Sequence, residues 1–197
     1  EEGRLTAHRI RITSDTGAYS SLGGPVLQRA CTHAGGPYKV PNIDIEGVGV
    51  YTNNPPCGAF RGFGVTQSAF AVEGNLNLLA EKVGISYWEI RWRNAIEPGD
   101  VMSNGQIAGP DVRLKETLMA AKEAFESSPY AGIACGMKNS GLGVGVPDVS
   151  RVRLEVRNGV VHIYTSAACM GQGIATMTTQ IVSHVTGLPV SKIKHMP

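Results

Sequence analysis

The sequence predicts an α+β fold, mixed sheets with packed helices. Three observations carry it. Short apolar/polar alternations mark strands, longer stretches with apolar residues three and four apart mark helices, and the two kinds occur in mixed order. An Asn158-Gly159 pair between two alternating runs marks an antiparallel hairpin.

The elements follow in order. Residues 4–12 read as a strand, with Leu5 to Ile12 alternating, and residues 13–26 as a loop rich in Gly, Ser and Pro. Residues 44–52 alternate again and predict a second strand. Val65, Ala69, Val72, Leu76, Leu79 and Val83 then define one buried helix face, stopped by Gly84. Ser86 and Glu89 form a capping-box pair that opens a short helix running to Asn94. Glu97-Pro98-Gly99-Asp100 is a turn. Leu114, Leu118, Ala121 and Phe125 give a third helix face, ended by Ser127-Ser128-Pro129.

The pattern changes at 129–132, the expected internal boundary, and divides the chain into regions 1–130 and 131–197. Residues 133–146 are Gly-rich and read as extended. Val152, Leu154 and Val156 alternate with Arg151, Arg153, Glu155 and Arg157, and 160–165 is the returning strand. After a loop at 167–173, Ile174, Met177, Ile181 and Val185 share a helix face that Gly187 and Pro189 end. A last strand begins near Val190.

Composition narrows the function classes. Of 197 residues, 42% are hydrophobic, enough for a core, and 18 basic against 16 acidic residues leave a net charge of +2. That balance, without a run of Lys or Arg, argues against nucleic acid as a partner. No apolar stretch approaches the roughly 20 residues of a membrane span, so no membrane partner is expected. The four cysteines are scattered, with no C-x-x-C pair, and fit small buried groups in a reduced, cytoplasmic setting. The five histidines share no metal-ligand spacing, and no catalytic triad or carboxylate pair stands out. No protein metal ligand and no catalytic residue is therefore assigned within the chain. Any chemistry must come from a cofactor.

Three glycine-rich stretches compete for that role. Gly141-Leu-Gly-Val-Gly145 tempts as a dinucleotide fingerprint, but Pro147 and a hairpin follow where a helix is required. A strand or bulge packed too closely for side chains is the expectation there. GAFRGFG at 58–64 and CMGQG at 169–173 each run straight into a helix. Glycine lets a backbone approach a ligand, and a helix N-terminus offers unpaired N–H groups and partial positive charge to anions. Phe63 could wall a planar substrate, and Gln172 could donate to an oxygen or accept from an N–H. The plainer alternative makes the first loop a tight turn whose rings fill the core and the second a helix-capping loop.

These two loops, with Tyr38-Lys-Val-Pro-Asn-Ile43 upstream and Thr186-Gly-Leu-Pro189 downstream, resemble the molybdenum-binding subunit or domain of the xanthine dehydrogenase / aldehyde oxidase family. The likeness spans nearly the whole chain. It implies parts of two molybdopterin-binding lobes: the C-terminal part of the first in 1–130 and the start of the second in 131–197. By resemblance, Ala59, Phe60 and Arg61 match one cofactor-binding loop, and Met170, Gly171 and Gln172 match the other. Phe63 matches the ring that packs on a flat heteroaromatic substrate, and Arg29, within Gln28-Arg29-Ala30, matches the arginine that steers purines by an exocyclic oxygen. A salt-bridging structural role for Arg29 is the alternative.

The resemblance also implies the chemistry. A molybdenum-bound hydroxyl attacks an electron-poor substrate carbon, hydride passes to a sulfido ligand, and electrons leave through iron–sulfur clusters to FAD in partner subunits or domains. The cofactor is molybdenum–molybdopterin, as such or as a dinucleotide. The family's upstream glycine-rich loop and its downstream catalytic glutamate have no counterpart in this sequence. The expectation is a fragment of a purine-oxidising molybdenum hydroxylase that does not turn over alone. The same family acting on an aldehyde or nicotinate-like ring is the first alternative, and a non-catalytic interaction module the second. A fragment with uncovered surface is also expected to self-associate, by strand exchange among other routes.

Overall fold

The protein is described by a computed structural model over residues 2–141 and 147–196. It divides into two units, Glu1–Lys138 and Asn139–Pro197.

Unit 1 opens with β1 (His8–Gly17), α1 (Gly23–His33) and β2 (Ile43–Tyr51), and β1 pairs with β2 in parallel. Such a pairing requires a crossover, and α1 supplies it. The sequence reading missed this helix, placing a loop over 13–26 and nothing beyond. Gly23-Gly24-Pro25 looks like a breaker. In the first helical turn, however, a missing N–H costs nothing, because that donor has no intrahelical partner. Arg29, Ala30 and His33 then lie on the buried side of α1.

Next come α2 (Val65–Val83), α3 (Tyr87–Asn94) and α4 (Leu114–Glu126). The stops and starts are those expected: Gly84 caps α2 at φ 76°, and Ser86 accepts the Glu89 N–H at 3.0 Å. The buried face of α2 differs from the expected one. Val65, Ser68, Val72, Glu73, Leu76 and Ala80 are buried, whereas Leu79 and Val83 are exposed. Two polar residues shift the stripe, because each is paired where it is buried.

The core gathers Tyr38, Val72, Leu76, Ala80, Trp88, Ile90, Ala95, Leu118 and Cys135. Trp88 stacks on Trp92 with centroids 5.0 Å apart, and its ring N–H donates to the Leu118 carbonyl at 2.7 Å. At the centre Arg91, with no exposed side chain, donates to Glu73 at 2.7 Å. The same carboxylate accepts the Tyr38 hydroxyl at 2.5 Å and the Cys135 N–H at 3.1 Å. Cys135 thereby ties the segment past 130 to unit 1.

Unit 2 holds β3 (Val152–Arg157), β4 (Val160–Thr165), α5 (Ile174–Thr186), a single 3₁₀ turn (Val190–Lys192) and β5 (Ile193–His195). The strand order is β3-β4-β5, antiparallel then parallel. Asn158 and Gly159 take φ 50° and 72°, the left-handed pair that a two-residue hairpin turn requires. Val161, Ile163 and Ile193 are buried, with Val182 of α5 packed on them. The helix face read from the sequence is only partly covered: Ile174 is buried, but Met177, Ile181 and Val185 are exposed. The glycine run, from 142 to 145, lies outside the described residues.

Candidate functional site

The first site is built at the junction of α1 and α2. Gly62, Phe63 and Gly64 have φ values of 97°, 51° and 96°. Three left-handed residues in a row reverse the chain just ahead of α2. A Cβ on Gly64 would lie 2.2 Å from the Val26 carbonyl oxygen and 2.9 Å from the Ala30 nitrogen, so only glycine lets this loop sit on α1. The Ser68 hydroxyl fastens the contact by donating to the Ala30 carbonyl at 2.7 Å. These contacts bring Phe63 beside Arg29, whose guanidinium carbon lies 5.9 Å from the ring centroid. Two residues far apart in sequence become one cation–aromatic pair.

The other predicted residues of this loop are outward. Ala59, Phe60 and Arg61 are exposed, Phe60 to 84%. Phe60 does not fill the core, as the plain-turn reading would have it. Its carbonyl accepts the Phe63 N–H at 2.8 Å and closes the turn.

Sequence reasoning missed the basic neighbours of Arg29. His33, one helical turn on, is buried with Nδ1 3.1 Å from the Arg29 carbonyl. Burial lowers its pKa, the hydrogen bond to the Arg29 carbonyl works against that, and the charges of Lys138 and Arg29 add to the lowering. Lys138 is also pushed down, by burial first and then by Arg29. The corner beside Phe63 is thus electropositive, and an anionic or carbonyl oxygen there would relieve repulsion among its cations. The helical spacing of Arg29 and His33 was legible only once α1 was recognised.

The second site lies at the start of α5. Gly171 and Gly173 are left-handed, at φ 107° and 81°, so the loop curls into the helix N-terminus. The backbone N–H groups of Gly171, Ile174, Gly173 and Gln172 hold the Cys169 thiol below its usual range, against a desolvation effect that raises it. Four amides that favour a thiolate form a nest for negative charge. Met170, Gly171 and Gln172 are exposed. The Gln172 side chain folds into its own loop: its carbonyl accepts the Met170 N–H at 2.6 Å, and its NH₂ donates to Ala168 at 2.9 Å. Its role in the loop as it stands is to shape the backbone.

The loop at 169–173 offers backbone amides suited to an anionic group, and the loop at 58–64 exposes Ala59, Phe60 and Arg61. Gly64 and Gly173 occupy the N-cap positions of α2 and α5, with no side-chain cap on either helix. The amides at 171–174 favour the ionised form of the Cys169 thiol. Among the described residues no cluster of three or more His, Cys, Asp or Glu could hold a metal, and no helix is long and apolar enough to cross a membrane.

Comparison with known proteins covers most of the chain. Two family models, each a molybdopterin cofactor-binding domain, match residues 1–95 and 113–197. The large molybdopterin subunit of nicotinate dehydrogenase from Eubacterium barkeri is 46% identical over 62% of this chain and 29% of its own length. A component of a probable xanthine dehydrogenase from Bacillus subtilis is 36% identical over 97% of this chain and 27% of its own. The solved aldehyde oxidoreductase of Desulfovibrio gigas aligns with a TM-score of 0.80 at 30% identity, over 99% of this chain and 23% of that one. The chain therefore spans about a quarter of the length of the proteins it matches. It belongs to the molybdopterin-binding part of the xanthine dehydrogenase/aldehyde oxidoreductase family of molybdenum hydroxylases.

Proposed function

We propose that this chain helps to bind the molybdenum–molybdopterin cofactor of a cytoplasmic hydroxylase that oxidises a purine of the xanthine or hypoxanthine type. The carrying observation is the buried Arg29 held over Phe63 in an electropositive corner. A flat ring can stack on Phe63 while its exocyclic oxygen accepts from the guanidinium. As the ring is oxidised, negative charge grows on that oxygen, and Arg29 stabilises it. The amides at 171–174, with Met170, Gly171 and Gln172, hold one anionic part of the cofactor. By the family resemblance, Ala59, Phe60 and Arg61 also belong to the cofactor-binding set. Region 1–130 closes the first cofactor lobe and 131–197 opens the second.

When bound, the cofactor supplies two-electron redox chemistry. FAD and iron–sulfur partners take the electrons onward. The chain alone does not turn over, because the glutamate base is contributed from elsewhere in the enzyme.

A nicotinate-like ring is the second reading. The Eubacterium barkeri protein favours it, and Arg29 would meet a ring carboxylate as readily as an exocyclic oxygen.

The test is steady-state kinetics of the full-length enzyme on xanthine, nicotinate and an aromatic aldehyde. We expect xanthine to be preferred. Arg29→Ala is expected to lower kcat/KM for xanthine by about 10- to 100-fold, with molybdenum content unchanged and the aldehyde rate little affected. Equal losses on all three substrates would refute the assignment of Arg29. A preference for nicotinate would select the second reading.

A further inference from the structure

The loop at 58–64 is anchored at both ends. Its far end is the contact of Gly64 with α1. Its near end, 52–57, lies on the last residues of β1. There the pairing of β1 with β2 shifts register between Asp15 and Gly17, so Thr16 is the extra residue of a bulge. Thr16 is buried, its hydroxyl donates to the Val50 carbonyl at 3.0 Å, and its own carbonyl accepts the Cys57 N–H at 3.1 Å. The Ala18 N–H donates to the Asn54 carbonyl at 3.0 Å. Gly17 is left-handed, at φ 72°, and a Cβ on it would lie 2.2 Å from the Pro55 carbonyl oxygen. The segment that enters the loop is therefore seated directly on the bulge.

One side chain gathers this junction. Asp15 Oδ1 accepts the Gly17 N–H at 2.8 Å and the Thr52 hydroxyl at 2.6 Å, and Oδ2 accepts the Asn54 side-chain NH₂. All three partners donate, so the group between them has to accept at both atoms, as an ionised carboxylate does. The bonds from Thr52, then Asn54 and Gly17, hold the Asp15 carboxyl below its ordinary range, against a desolvation effect that raises it. These partners lie outside 58–64, so Asp15 acts on the loop through 52–57. We propose that Asp15 is a positioning residue for Phe63: it fixes 52–57 on the end of β1 and so sets where the loop delivers its ring to Arg29. This rests on the reading of 58–64 as a substrate and cofactor loop. With the Gly64 contact alone, the loop has one fixed end and the place of the ring is not set. A misplacement of about 1 Å can cost a hundredfold in rate.

Hydrogen exchange and steady-state kinetics per bound molybdenum, both on the full-length enzyme, test this. Asp15→Ala should speed exchange in 52–64, leave α3 and α4 unchanged, and lower kcat/KM for xanthine by about 10- to 100-fold. Asn54→Asp sets two carboxylates face to face and should do the same. Combining Asp15→Asn with Asn54→Asp restores every bond: the amide at 15 still offers its oxygen to Gly17 and Thr52, and its NH₂ donates to the carboxylate at 54. This swapped pair should return exchange and turnover to near wild type. A swapped pair no better than Asn54→Asp alone would overturn the proposal, whether or not Asp15→Ala folds. So would unchanged exchange at 52–64 in Asp15→Ala, or faster exchange throughout unit 1, the mark of a merely structural role. Exchange and rescue judge Asp15, while the substrate profile of Arg29→Ala judges the reading beneath it. Equal losses for Arg29→Ala on all substrates, with 52–64 loosened and rescued, would sink the purine reading and leave the anchoring by Asp15 intact. A xanthine-selective loss for Arg29→Ala, with 52–64 unmoved in Asp15→Ala, would do the reverse.

Discussion

In unit 1 the largest fully buried side chain is a charged one, Arg91, surrounded by the Glu73 carboxylate, the Asn77 side-chain carbonyl and the Tyr87 carbonyl. In unit 2 the buried apolar set is small, Val161, Ile163, Ile193 and Ile174, while the valines and leucine of β3 and three apolar residues of α5 stay exposed. The contrast concerns how each unit closes. Unit 1 joins α2, α3, Tyr38 and the segment at Cys135 through one carboxylate, so a polar group links elements distant in sequence. Unit 2 has no comparable network among its described residues and leaves apolar surface open. Specificity inside unit 1 comes from a polar network, and unit 2 closes on a few buried aliphatic residues.

Removing the link at Glu73 should have the largest effect. Glu73→Ala leaves the Arg91 guanidinium buried without a carboxylate and strands the Tyr38 hydroxyl and Cys135 N–H. A single truncation of a buried ion pair costs about 3–5 kcal/mol. We expect unit 1 to lose most of its stability, read as a large fall in its urea midpoint. A midpoint within error of wild type would show that apolar packing alone closes this unit. The loss should reach the proposed cofactor loop as well, since α2 carries Glu73 and begins directly after the Gly62–Gly64 turn.

Ile163→Ala sharpens the comparison from the other side. Ile163 is the most buried residue of unit 2, and its truncation costs about 2–5 kcal/mol where the cavity cannot collapse. With so few buried neighbours, unit 2 has little in reserve. Hydrogen exchange should show protection lost in β3, β4 and α5 while α2 and α3 keep theirs. Loss of protection in both units together would contradict a division into two cores.

Much of this architecture was legible in the sequence, and what was missed has physical causes. The hairpin, the α2 stop at Gly84, the Ser86 cap and the start of α5 were readable because each depends on one or two residues with special backbone demands. Helix α1 was not, because Gly-Gly-Pro has the same composition in a breaker and in a first turn. The true face of α2 was not, because a polar residue paired inside the core looks, in sequence, like one facing water. The loops at 58–64 and 169–173 were legible as tight turns into helices by their glycines and by the helical patterns behind them. The pairing of Arg29 with Phe63 needed the contact of Gly64 with Val26 and Ala30. Neither the electropositive contribution of Lys138 nor the amide nest around Cys169 leaves a local signature.

The smallest expected effect probes the same network through pH. Burial, first, and then the charges and hydrogen bonds of Cys135 and Glu73 raise the Tyr38 phenol far above its ordinary value. A raised pKa stabilises the fold fully below the ordinary tyrosine value of about 10. Above it, the unfolded chain releases the proton while the native one keeps it, so stability falls as pH rises. Tyr38→Phe removes that dependence. At neutral pH it should cost about 1 kcal/mol, because Glu73 loses one donor and the ring remains. By pH 11 the wild-type chain should have lost roughly 1.4 kcal/mol more than the variant, about 1 kcal/mol of it between pH 10 and 11. The two urea midpoints should therefore converge near pH 11 and then cross. Parallel curves over that range would mean that the Tyr38 hydroxyl reaches solvent in the native protein, and that the polar centre of unit 1 is more open than its hydrogen bonds imply.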